Sequence, residues 1–171
     1  GNNITGFGVI RIKNNHMKLL DLIEFKLSKK KDHSAKLSEI FNNTSELIKL
    51  HNPNFVAIEF PFFGKNVQSM LKLGRAQGVS MAAALNLDIP ITEYSPKKIK
   101  MAITGSGNSS KEQVAKMLRT MLDIKEMPKN LDSTDGLAAA VCHYFNFGNS
   151  SSKKDFSNWA SYISKNPDKL V

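Results

Sequence analysis

Phe55-Val56-Ala57-Ile58-Glu59 is a short apolar run that ends in a carboxylate, preceded by the turn-forming Asn52-Pro53-Asn54. A run of that length, rich in β-branched and aromatic residues and bounded by turn signals, reads as a buried parallel strand. Parallel strands need crossovers, and the flanking sequence supplies helices for them. Upstream, Leu37, Ile40, Phe41, Thr44, Leu47, Ile48 and His51 recur at helical spacing. Downstream, after a loop over 60–66, a long helix reaches about Leu85 and is rich in small residues, among them Gly74, Ala76, Gly78 and Ala82. Residues 89–94 read as another short strand. Ser95-Pro96 then opens a helix, with Ser95 as N-cap and proline at the first helical position. A Gly/Ser loop over 104–110 leads into a helix to about Leu122, for which Ser109 and Glu112 form a capping box. A last helix spans about 132–145. Before all of these, residues 5–12 and 19–27 read as two strands joined through Asn14-Asn15, an antiparallel hairpin. Gly6 and Gly8 weaken the first of them or admit a close backbone approach. Residues 29–32 are a charged connection. The order predicts an α/β domain with a mixed sheet and helices on its faces.

The chain has 171 residues, 41% hydrophobic and 23% charged, which suits one globular domain. Lys and Arg number 24 against 15 Asp and Glu, a net charge of +9, so the surface favours a polyanion: DNA, RNA or an anionic membrane. The plain alternative is a basic protein with solvated lysines. The lone Cys142 excludes an internal disulfide framework and points to a reducing compartment, hence the cytoplasm. No run approaches the ~20 apolar residues of a membrane span, and no basic segment leads into an apolar one at the start. Residues 148–154 read as a polar linker. Beyond it, Phe156, Trp159, Tyr162 and Ile163 fall at helical spacing and predict a short helix, so the chain divides into a domain over 1–147 and a polar linker with a short tail over 148–171.

Four features bear on chemistry. Glu59 ends a buried strand, where open α/β sheets place ligand sites; a carboxylate there either reaches solvent or is compensated by a cation or donors. Asp132 and Asp135 stand three residues apart on one helix and share a face. They either cap the helix and face its dipole or hold a cation such as Mg²⁺, which takes carboxylate oxygens. Basic residues form three sets: Lys65, Lys72 and Arg75 on the long helix, Lys97, Lys98 and Lys100 on the helix opened by Pro96, and Lys111, Lys116 and Arg119 on the next. Each set alone is a solvated face, and together they frame the strand ends that carry Glu59. Phe60, Phe62 and Phe63 follow Glu59 directly, either folding onto the core or offering rings to unpaired bases. His16, His33, His51 and His143 show no metal spacing; His51 lies on an apolar helix face and reads as packed.

Collinear segments of the chain resemble the RuvC family of Holliday-junction resolvases. They are Gly1-Asn2-Asn3-Ile4-Thr5-Gly6-Phe7-Gly8-Val9-Ile10, the Phe55–Glu59 run, Lys65-Asn66, Leu71-Lys72-Leu73-Gly74-Arg75-Ala76-Gln77-Gly78-Val79, the Gly105-Ser106-Gly107 loop and Asp132-Ser133-Thr134-Asp135-Gly136-Leu137-Ala138. The resemblance implies a ribonuclease-H-like fold whose mixed sheet has five strands. It implies a homodimer that cuts four-way DNA junctions by paired symmetric nicks with two Mg²⁺ ions, Mn²⁺ being a substitute, and that works beside a branch-migration helicase complex. Glu59, Asp132 and Asp135 match metal-holding positions and should converge. Lys111 matches a catalytic lysine. Phe62 matches an aromatic that supports unpaired bases, and Lys65, Lys72, Arg75, Lys97, Lys98, Lys100 and Lys111 would face DNA. The small-residue helix over 66–85 matches the dimer-forming helix. The family's first carboxylate belongs to an Asp-Pro-Gly turn whose glycine aligns with Gly1. An apolar strand ending in Asp-Pro is therefore expected directly before Gly1, and a chain without it is short of one ligand and one strand. The competing readings are another ribonuclease-H-like nuclease acting on RNA, and a catalytically silent junction-binding module.

Overall fold

A computed structural model describes residues 4–27, 32–60, 66–128, 131, 134–147, 161, 163–164 and 167. Strands β1 (Ile4–Lys13) and β2 (His16–Lys26) pair antiparallel from Ile4↔Lys26 to Lys13↔His16, with a bulge between Val9 and Ile10. Asn14 and Asn15 both take positive φ, 51° and 62°, the conformation that a two-residue hairpin turn requires. So tight a turn lets pairing run right up to it, and β2 starts at His16, ahead of the expected Leu19. Helix α1 (His33–His51) begins after Asp32, whose carboxylate accepts from the Ala35 amide at 2.7 Å. The charged connection thus ends in an N-cap.

Strand β3 (Val56–Glu59) and strand β4 (Ile91–Tyr94) run parallel, from Val56↔Ile91 to Glu59↔Tyr94, with helix α2 (Val67–Leu85) as the crossover. Helix α3 (Pro96–Thr104) is capped by Ser95 as expected and stops at Gly105, whose φ of 77° suits glycine. Helix α4 (Lys111–Leu122) is capped by Ser110 with Gln113, not by Ser109 with Glu112. Ser109 is buried and bonds Thr104 Oγ1 at 2.7 Å, so its hydroxyl is committed to the loop. Helix α5 (Thr134–Phe147) runs two residues beyond the expected end.

Among the described residues the single mixed sheet is instead two two-stranded sheets, β1–β2 and β3–β4. No ladder joins them among the described residues; what the two share is α5, which packs on both β1 and β3. That helix forms the centre of the core, with Leu137, Val141, Cys142 and Phe145 fully buried. Its start meets β1 backbone to backbone. A Cβ on Gly8 would lie 2.5 Å from Leu137 Cα, and one on Gly136 would lie 2.8 Å from the Gly6 carbonyl oxygen. Gly8 therefore marks a close approach, one of the two readings open for it.

Two histidines have structural work. His51 Nε2 lies 3.2 Å from Asp21 Oδ2, tying the end of α1 to β2. His143 is buried, with its Nδ1 2.9 Å from Tyr94 Oη and its ring against Phe55 and Phe147. In the tail, Ile163 packs against the core, whereas Phe156, Trp159 and Tyr162 lie outside the described residues. Among the described residues no helix is long and apolar enough to cross a membrane.

Candidate active site

Glu59 stands at the carboxyl end of β3, and three helices bring side chains to it. Pro96, Ile99 and Lys100 of α3 share one helical face; Lys111 and Val114 of α4 share another; Thr134, Asp135 and Ala138 of α5 share a third. Together with Glu59 they line a cleft of about 220 Å³. Its lining is mostly apolar, and its charged groups are two carboxylates and two ammonium groups.

Burial raises the Glu59 carboxyl above its ordinary value, and the nearby Asp135 carboxylate raises it further; Lys111 and Lys100 pull it back. Lys111 Nζ lies 3.1 Å from Asp135 Oδ2, in a pair that is half exposed on the lysine side. Such a pair stabilises the fold by at most ~1 kcal/mol. Two carboxylates held against an apolar wall, short of full compensation by lysines, suit a hard divalent cation bound through oxygen.

The lysines are placed against helix dipoles. Lys97 and Lys98 occupy the first turn of α3, and Lys111 is the first residue of α4. A cation at a helix N-terminus costs roughly 0.3–1 kcal/mol, so these positions serve an anion better than the fold. Lys97 lays its stem beneath the Gly/Ser loop, where a Cβ on Gly107 would fall 2.6 Å from Lys97 Cγ. The Lys98 ammonium sits over the Tyr94 ring, 5.2 Å from its centre.

Of the residues singled out in the sequence, Glu59, Asp135, Lys100 and Lys111 therefore meet in one cleft. Lys72 and Arg75 are exposed on α2, and Lys97 and Lys98 on the outer part of α3; none of these four lines the cleft. Asp132, Phe62 and Lys65 lie outside the described residues, and among the described residues no three His, Cys, Asp or Glu side chains converge. One further contact at this strand end carried no sequence signal: Gln77 Nε2 donates to the Glu59 backbone carbonyl at 2.7 Å. Only its place in the Leu71–Val79 segment could have drawn attention to it.

Comparison with known proteins gives a single answer. The family profile described as crossover junction endodeoxyribonuclease RuvC matches residues 1–143. The crossover junction endodeoxyribonuclease RuvC of Christiangramia forsetii is 58% identical over 170 residues, 99% of this chain and 88% of that protein. That of Cytophaga hutchinsonii is 54% identical over 170 residues, 99% of this chain and 84% of that protein. Among solved structures, Thermus thermophilus RuvC in complex with a Holliday junction substrate superposes with a TM-score of 0.75 at 31% identity, covering 80% of this chain and 84% of the other.

Proposed function

This chain belongs to the RuvC family of crossover junction endodeoxyribonucleases, and from that premise we propose how its residues cut a four-way DNA junction. The observation that carries the reading is the facing of Glu59 and Asp135 across a cleft edged by Lys100 and Lys111. Glu59 and Asp135, with Asp132 of the same motif, hold divalent metal. The family implies such a metal, and the carboxylate donor set fits Mg²⁺, with Mn²⁺ in its place. Two such ions supply Lewis-acid activation of water and of the leaving oxygen when bound.

The chain's own groups do the rest. The cleft fixes a phosphodiester beside Glu59, and its apolar wall of Ile99, Val114 and Ala138 limits competing water. Water attacks phosphorus and the P–O3′ bond breaks, leaving a 5′ phosphate and a 3′ hydroxyl that a ligase can reseal. Lys111, already oriented by Asp135, offsets charge that develops in the transition state. Lys100, which also lines the cleft and interacts with Glu59, offsets part of the electrostatic cost of binding a phosphate near carboxylates.

Paired cuts need two sites related by a two-fold axis. Helix α2 supports a homodimer: Val67, Leu71 and Leu85 are half or more exposed, and among the described residues a Cβ on Gly74 or Gly78 would meet nothing within 4 Å. A second copy of α2 covers that face. Residues 1–147 form the cutting unit, and association with a branch-migration helicase complex follows from the family alone.

The test is a substrate panel in Mg²⁺: a synthetic four-way junction, plain duplex and an RNA–DNA hybrid. Paired nicks confined to the junction are expected. Cleavage of the hybrid instead would make the chain an RNA nuclease, and binding without cleavage would make it a silent junction binder.

Junction affinity should fall with salt at a log–log slope of roughly −0.9 per phosphate neutralised. Lys97→Ala should flatten that slope by up to about one unit. Lys98→Ala should flatten it less, because its ammonium already rests on the Tyr94 ring. Titration across salt concentrations checks both, and a salt-independent affinity would remove the polyanion reading.

Phe62→Ala should weaken junction cleavage while leaving duplex binding unchanged, because the junction offers unstacked bases. One stacked base is worth ~1–3 kcal/mol, or roughly 5- to 150-fold. Parallel losses on both substrates would show that Phe62 only packs.

A further inference from the structure

Gln77 lies midway along α2 and reaches out of it to the strand end that bears Glu59. The Val56 and Phe60 amides donate to the Pro90 and Tyr94 carbonyls on the β4 side, at 2.9 and 2.7 Å. In a parallel ladder alternate residues turn their backbone groups to opposite edges, so the Glu59 carbonyl faces the edge away from β4. Gln77 Nε2 meets it there at 2.7 Å. A carbonyl can only accept, so the side-chain amide is fixed with its nitrogen inward. Its oxygen is then shut away from solvent with no hydrogen-bond partner among the described residues.

A buried amide oxygen left unsatisfied is a standing penalty, and an apolar side chain at this position would avoid it. The same apolar side chain would, however, take this donor from the Glu59 carbonyl, so what glutamine gains for its unsatisfied oxygen is the bond to Glu59. Moreover, α2 packs mainly against α1, so this bond links α2 directly to the end of β3.

We propose that Gln77 is a positioning residue: it clamps the Glu59 backbone from the side opposite β4 and so sets where the Glu59 carboxylate meets metal. Because α2 also carries the exposed apolar face assigned to the second subunit, the clamp makes the metal site sense the placement of the dimer helix. The inference rests on the reading of Glu59 as a metal ligand.

The experiment measures Mn²⁺ affinity by electron paramagnetic resonance on the whole protein, beside melting curves and metal-free junction affinity, for wild type, Gln77→Met, Glu59→Gln and Gln68→Met. Gln68 is exposed on the same helix and serves as the control. Gln77→Met should weaken Mn²⁺ binding by about tenfold, the lower end for removing a group that orients a metal ligand. Its metal-free junction affinity should match wild type, as should both properties of Gln68→Met. If Glu59→Gln loses Mn²⁺ and a folded Gln77→Met does not, the clamp is refuted and the metal site stands. If Glu59→Gln still binds Mn²⁺ like wild type, the reading of Glu59 fails and the clamp with it. If Gln77→Met does not melt cooperatively, Mg²⁺ titration of the wild type by nuclear magnetic resonance decides. Gln77 side-chain amide signals that shift over the binding range support the clamp, and unmoved signals overturn it.

Discussion

Glu59→Gln should lower junction cleavage by roughly 10³-fold or more and, without metal, should make the protein more stable than wild type. Removing one electrostatic contact to a transition state typically loses ~10²–10³ in rate, and this change also removes a metal ligand. The stability gain follows from the direction of the Glu59 shift. Burial, and then Asp135, hold its carboxyl above the ordinary value, so the folded state favours the protonated form. Between the ordinary carboxylate value and the raised one, the folded chain binds more protons than the unfolded chain, and stability falls as pH rises. A neutral amide has no such loss. The melting temperature of Glu59→Gln should therefore exceed that of metal-free wild type at neutral pH, and the difference should shrink as the solution is acidified through that window. Mg²⁺ should raise the melting point of wild type and leave that of the variant nearly unmoved. Single-turnover cleavage and melting curves with and without Mg²⁺ measure all three. Equal Mg²⁺ stabilisation of both proteins would sink the assignment.

The second large effect is on the fold. Gly8→Ala should destabilise the protein by about 3 kcal/mol or more, the upper range for overpacking a tight site. The new Cβ would lie 2.5 Å from Leu137 Cα and 2.7 Å from Leu137 N, backbone atoms that cannot rotate away. Either β1 or α5 must move, and α5 carries Asp135. At roughly 2–4 °C per kcal/mol for a chain of this size, the melting temperature should drop by about 6 °C or more. Cleavage should fall even at temperatures where the variant stays folded, because Asp135 is shifted relative to Glu59. A variant that melts like wild type would show that the approach of α5 to β1 is looser than the glycines indicate.

Local chemistry made most of the elements legible in the sequence. Asn14-Asn15 announced its turn because both residues tolerate the left-handed conformation, and Ser95-Pro96 announced α3 because cap and first-turn proline coincide. The start of α4 was ambiguous for a physical reason. Ser109…Glu112 and Ser110…Gln113 have the same spacing, and only the tertiary bond from Thr104 to Ser109 decides between them. His51 and His143 found partners, Asp21 and Tyr94, that are distant in sequence and that helical spacing does not reveal. The division into two sheets also escaped the element order, which fixes neither pairing nor gaps. At the site, Glu59 was conspicuous because a charge ending an apolar run is costly. From spacing alone Lys100 and Lys111 stood out no more than Lys97 and Lys98, since helix phase does not say which face meets the cleft; only the family resemblance set Lys111 apart. Gln77 was silent, because a glutamine on a helix with a mixed surface is unremarkable until its partner carbonyl is known.

The bridging role of α5 fixes an order of assembly. The β1–β2 hairpin closes between near neighbours in the chain, and the β3–β4 pair closes across one crossover helix. The contact of Gly8 with Leu137, by contrast, spans roughly 130 residues, and such long-range closures form late. During synthesis, at ~5–20 residues per second, Asp135 leaves the ribosome at least several seconds after Glu59, since about 75 residues separate them. On the reading of Glu59 and Asp135 as metal ligands, the two halves of the site are kept apart in time as well as in sequence, and the nascent chain passes most of its synthesis unable to hydrolyse a phosphodiester bond.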